Sequence, residues 1–139
     1  MTPLHPDVAW LAAFLAAHNG VAGSVHRRVG EVLVATAFQG IPPAVQALTT
    51  TIPPGKGMAG LAWTRGVPVS TCNLATDPTD DIRPGARTVA ANAAIALPIF
   101  DPQHTLQAVV GIAFADAADP PAERLLAAAA SLRADPLPG

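Results

Sequence analysis

The sequence predicts an α+β domain, with terminal helices on a mostly antiparallel sheet. Three observations carry that prediction. One helix-forming stretch opens the chain and another, started by prolines, closes it. Between them, apolar runs of strand length come in neighbouring pairs joined by short turn signals. The one helical segment among those runs is too short for a parallel crossover.

The first helix is expected from a cap at Asp7 to His18, ending at Asn19-Gly20. Val8, Leu11, Phe14 and Leu15 fall at helical spacing, and Trp10 widens that apolar face. A helix so broadly apolar suits packing on its own domain and on a partner. Residues 21–28 and 31–37 read as two strands turned through Val29-Gly30, with Phe38-Gln39-Gly40 closing the second. Residues 41–48 connect, with room for one helical turn started by Pro42-Pro43.

Residues 52–63, I-P-P-G-K-G-M-A-G-L-A-W, organise the chain. Gly55, Gly57 and Gly60 allow a sharp turn from an extended segment into a helix over 58–65, ended by Gly66. Small residues on that helix, Ala59 and Gly60, let it lie close to a sheet, and its first amides would favour an anion or polar group. The spacing also matches G-x-G-x-x-G. A dinucleotide fingerprint, however, wants a buried strand before it and a long helix after it. Here the preceding residues 49–52 are short and polar, so the structural turn is the preferred reading.

Residues 66–70 form a short strand in which Pro68 suits an edge or a strand start. Residues 72–87 make the longest irregular segment, where Asp77-Pro78-Thr79-Asp80 has the form of a helix start. Residues 94–100 and 106–115 are paired strands around Asp101-Pro102-Gln103-His104. The second is nearly all apolar, so both its faces are expected to be covered. Those faces differ in size: Val110, Ile112 and Phe114 are large, while Val109, Gly111 and Ala113 are small. Asp119 with Pro120-Pro121 starts a last helix to about Leu132.

A chain of 139 residues reads as one domain, ordered from about 7 to 132 with a tail over 134–139. It buries roughly two thirds of its unfolded surface and needs no staples. Charged residues are only 13%, which fits a surface partly covered in an oligomer. With net charge −2 and no basic cluster beyond Arg27-Arg28, nucleic acid is not an expected partner. The early apolar run over 8–17 is too short for a bilayer, and no lysine or arginine precedes Arg27. A cytoplasmic protein without membrane contact is therefore expected. The single Cys72 excludes an intrachain disulfide.

The order of the motifs resembles a GAF domain over nearly the whole chain, about residues 8–132. The resemblance rests on Ile52 with Gly55, Gly57 and Gly60, then Gly66-Val67-Pro68-Val69, then Ala96-Leu97-Pro98-Ile99 with Gly111-Ile112-Ala113. It implies a central sheet of five to six strands, with terminal helices on one face and a layer of loops and short helices on the other. It implies a small ligand between sheet and loop layer, as cyclic nucleotides, tetrapyrroles, amino acids or metal centres are held in the family. It also implies a homodimer through the terminal helices. Phe38-Gln39-Gly40 and Ile52 with Gly55-Lys56-Gly57 further resemble the free methionine-R-sulfoxide reductases. The thiols of that branch are replaced: Ala59 follows the glycine turn, and none stands in 43–46 or near Pro84. Its acidic substrate-binding residue falls near Ala94. A reductase needs a thiolate, and Cys72 sits elsewhere.

Family topology places Trp63, Cys72, Asp81, Arg83, Ala94 and Ala96 in the ligand-binding wall, with Gly55, Gly57 and Gly60 as the structural turn. The plain readings stand beside these. Cys72 reads as a small buried hydrophobe, or more sharply as a chromophore attachment or redox site. Trp63 reads as packing under the sheet or loop, and Lys56 as a solvated lysine. His5, His18, His26 and His104 show no metal-ligand spacing, and Asp77, Asp80 and Asp81 lack the pattern of a calcium loop. No catalytic residue and no metal site is expected, and no cofactor is named. The leading expectation is a stand-alone, non-catalytic binding or sensory module of this family, acting through a homodimer or a protein partner. A descendant of the sulfoxide reductases and a ligand-free dimerisation scaffold are the alternatives.

Overall fold

The structure, a computed structural model, describes residues 5–71, 92–116 and 120–134. In order the elements are α1 (Pro6–His18), β1 (Ala22–Val29), β2 (Val32–Gln39), α2 (Pro43–Thr49) and β3 (Thr51–Ile52). There follow α3 (Gly57–Arg65), β4 (Val69–Thr71), β5 (Ala93–Phe100), β6 (Leu106–Phe114), α4 (Ala122–Ala129) and a 3₁₀ turn at Ala130–Ala134. Among the described residues, six strands form one sheet in the order β3-β2-β1-β6-β5-β4, every pairing antiparallel. The expected long segment from residue 72, the Asp119 cap and the tail beyond 134 lie outside the described residues.

The sixth strand is β3, the short polar segment before the glycine turn. It pairs Leu33 with Ile52 and Val34 with Thr51, covering the β2 edge. The β1–β2 hairpin closes on the Val29–Val32 pair, and Gly30 takes φ +61° in its two-residue loop.

Asp7 corrects the expected helix start. The cap is His5, whose Nδ1 accepts from the Asp7 N–H at 3.0 Å, and Asp7 lies inside the first turn. Its carboxylate is buried. Arg27 Nε and NH2 donate to it at 2.7 and 2.8 Å, a bidentate pair. The β1–β2 register skips Thr36, which stands as an extra residue in β2, and its hydroxyl donates to the same carboxylate at 2.6 Å. Burial alone would raise the Asp7 carboxyl. The hydrogen bonds from Arg27 and Thr36, with the Arg27 charge, outweigh it and hold the carboxyl below its ordinary value. The helix end is as expected, with Asn19 in the left-handed region at φ 59°.

Strand alternation sorts the core into two clusters. On one face, Leu11 and Leu15 of α1 and Leu125 of α4 pack on Val25, Ile95, Leu97, Ile99, Val110 and Ile112. Trp10 stacks on Phe14 at 4.9 Å between ring centroids, and its Nε1 donates to Ser131 Oγ at 3.0 Å. On the other face, Leu33, Ile52, Val69, Leu106 and Val109 pack against Ala62 of α3. Among the described residues no helix is long and apolar enough to cross a membrane.

Candidate functional site

The glycine turn sets where α3 meets the sheet. Gly55 and Gly57 take φ of +80° and +64°, which side chains resist. Gly60 is helical, but a Cβ there would lie 2.7 Å from the Pro53 carbonyl oxygen. The Gly55 N–H donates to the Gly60 carbonyl at 2.9 Å, so the loop folds back onto the first turn of α3. No side chain caps that helix, and Lys56, Gly57, Met58 and Ala59 border the space above the sheet.

That space is a cavity of about 160 Å³. Its floor is the small-residue face of the sheet: Ser24 of β1, Ala94 and Ala96 of β5, and Val109, Gly111 and Ala113 of β6. Val45 and Thr49 of α2, Ile52 and the start of α3 form its other walls, and Phe38 closes one side. Among the described residues the wall is almost wholly apolar.

His26 is the buried polar exception, at 3% exposure. It projects from β1 two residues after Ser24, on the same face, and lines the cavity. Its Nε2 lies 2.7 Å from the Thr49 carbonyl oxygen. A carbonyl only accepts, so Nε2 carries the proton and Nδ1 presents a lone pair. Burial pushes the imidazole below its ordinary value, and the bond to the Thr49 carbonyl only partly opposes it. The ring is therefore neutral near pH 7. Phe38 meets it edge-on, with centroids 5.8 Å apart.

Of the residues placed in the wall from sequence, Ala94 and Ala96 line the cavity. Trp63 does not. It is half-buried against the α3-side cluster, with the Arg28 guanidinium 5.2 Å from its ring centroid, which corrects the pocket assignment in favour of packing. Arg28 projects from β1 on the α3 side of the sheet and lays its guanidinium over the indole, so the ring has a partner outside the cavity. Cys72, Asp81 and Arg83 lie outside the described residues. Lys56 borders the rim and is exposed. Sequence reading missed Ser24 and His26 as wall residues, and it marked Phe38 only as part of the Phe38-Gln39-Gly40 motif. The signal was present: residues 24, 26 and 28 alternate on β1, but no motif marks them. Among the described residues no three His, Cys, Asp or Glu side chains come together.

No protein-family model matches the sequence, and no curated protein sequence does. Solved structures do match the fold. The GAF domain of an Acinetobacter phosphoenolpyruvate-protein phosphotransferase gives a TM-score of 0.72 at 16% identity, over 96% of this chain and 80% of that one. Free methionine-R-sulfoxide reductase from Neisseria meningitidis, in complex with its substrate, gives 0.68 at 20% identity, over 89% and 73%. A GAF domain/HD domain protein from Geobacter sulfurreducens gives 0.68 at 12%, over 89% and 82%. At these identities the comparison settles fold and not activity: the chain has the fold shared by GAF domains and free methionine-R-sulfoxide reductases.

Proposed function

We propose that the protein is a GAF-type small-molecule-binding or sensory module, non-catalytic, acting through a homodimer or a protein partner. The observation that carries this reading is the cavity between the sheet and the α2–α3 layer. Among the described residues its wall is apolar with one buried polar side chain, His26, and its volume suits a single ring, which is the composition of a small-molecule site. Among proteins of the same fold, one from Burkholderia vietnamiensis is named a GAF sensor protein, and one is named in complex with its substrate.

The reductase reading ranks second. Ala59, which stands where the sequence resemblance places a thiol, borders the cavity as a methyl group. The homodimer is proposed through the terminal helices. The outer face of α1 presents Ala9, Ala12, Ala13, Ala16 and Ala17, exposed and without a charge. A second α1 could approach such a face closely. A cytoplasmic location belongs to the same proposal.

Native mass spectrometry of freshly purified protein tests both parts together. The expected result is a dimer carrying a stoichiometric small-molecule adduct, which is lost in an Ala94→Leu variant that fills the floor. An adduct-free mass that no added small molecule changes would overturn the binding reading in favour of a scaffold. A monomer at micromolar concentration would overturn the dimer.

A further inference from the structure

We propose that the cavity selects an uncharged or anionic molecule of about single-ring size through an N–H or O–H group donated to His26 Nδ1. The inference rests on the binding reading above and names the chemistry of its ligand. Four observations carry it.

The first is polarity. The Thr49 carbonyl fixes the His26 tautomer at 2.7 Å, so the free ring nitrogen can only accept. The second is vacancy. Nδ1 has no hydrogen-bond partner among the described residues. The ring itself lines the cavity. Water entering the cavity satisfies such an acceptor, so a ligand that displaces the water without a donor of its own loses a hydrogen bond. The Ser24 hydroxyl on the same wall can donate or accept, so His26 is the group that sets polarity.

The third is size. The space of about 160 Å³, open on one side, has room for a single ring, as an enclosed apolar cavity of roughly 150 Å³ that holds benzene does. The fourth is charge. Lys56 is the charged side chain on the described wall, and the positive end of α3 borders the same rim. No described lining residue offers a carboxylate to a cation. Phenol-like and azole-like molecules meet all four conditions, and amines do not.

The test uses the full chain with two probes of one shape, phenol and toluene. Affinities of both are measured for wild type and for His26→Leu. Leucine keeps the wall apolar and leaves the phenol hydroxyl unpaired. The phenol-to-toluene affinity ratio is expected to fall about tenfold or more in the variant, the scale of a buried polar group losing its partner. In wild type, the His26 Nδ1 nitrogen resonance is expected to move upfield with phenol and to stay with toluene. That measurement decides the matter alone if His26→Leu does not fold. An unchanged ratio, or a resonance that ignores phenol while both probes bind, overturns the hydrogen bond and leaves the cavity reading standing. If neither probe perturbs any cavity residue, both proposals fall.

Discussion

Along β5, Ile95, Leu97 and Ile99 face α1 and α4, while Ala94 and Ala96 face the cavity. Along β6, Val110 and Ile112 take the helix side, and Val109, Gly111 and Ala113 the cavity side. The same strands thus build a filled face and a hollow one. On the filled face Leu11, Leu15, Leu97 and Leu125 are almost wholly excluded from solvent, and the buried Asp7–Arg27 pair pins α1 to the sheet. On the hollow face α2 hangs from two backbone carbonyls, Thr49 to His26 and Thr50 to the Ala35 N–H at 2.8 Å. A chain of this size can give one face to stability and leave space on the other, because side-chain volume alternates with period two.

The largest break in this comparison is Leu97→Ala. It should cost about 4 kcal/mol, since the filled face cannot collapse around the void, and denaturant unfolding measures it. Asp7→Ala should cost about 3 kcal/mol by leaving Arg27 half-buried and unpaired. The same pair has a pH signature. The folded carboxyl sits below its ordinary value of 3.8, so its contribution is complete above that value and is lost as pH falls through the folded one. An acid titration of stability in wild type and Asp7→Ala should therefore diverge above that range and converge below it.

Gly60→Ala should cost about 2 kcal/mol, because the added methyl meets a backbone oxygen that cannot swing away. Ala94→Leu should move stability by no more than about 1 kcal/mol, since it adds volume where space exists, yet it should abolish binding in the cavity. If Ala94→Leu proved as destabilising as Leu97→Ala, the two faces would be equally packed and the distinction would fail.

The smallest expected effect comes from His26. Its folded value lies below its ordinary 6.5, so the unfolded chain takes up the proton first and stability declines as pH drops below that value. Thermal melts from pH 7.5 to 5.5 should show this slope, and His26→Leu should flatten it.

The glycine turn, the paired strands over 94–100 and 106–115, and the small-against-large faces of β6 were all legible in the sequence. Each is a local matter of backbone freedom or period-two volume, and residues close in sequence decide it. Asp7 was misread for the opposite reason. An acid before an apolar helix is locally a cap, and only the Thr36 bulge and Arg27, brought over from the sheet, make it a buried ion pair. Trp63 was assigned to the pocket from family topology, and Arg28 on a distant strand decides its packing.

By itself the sequence determined the class of fold, the order of its longer elements and the difference in side-chain size between the two faces of β6. Tertiary structure alone decided what stands in that space. His26 is one of four unremarkable histidines until β1 buries it and the end of α2 fixes its proton, because the polarity of a buried imidazole is set by partners that chain proximity does not supply.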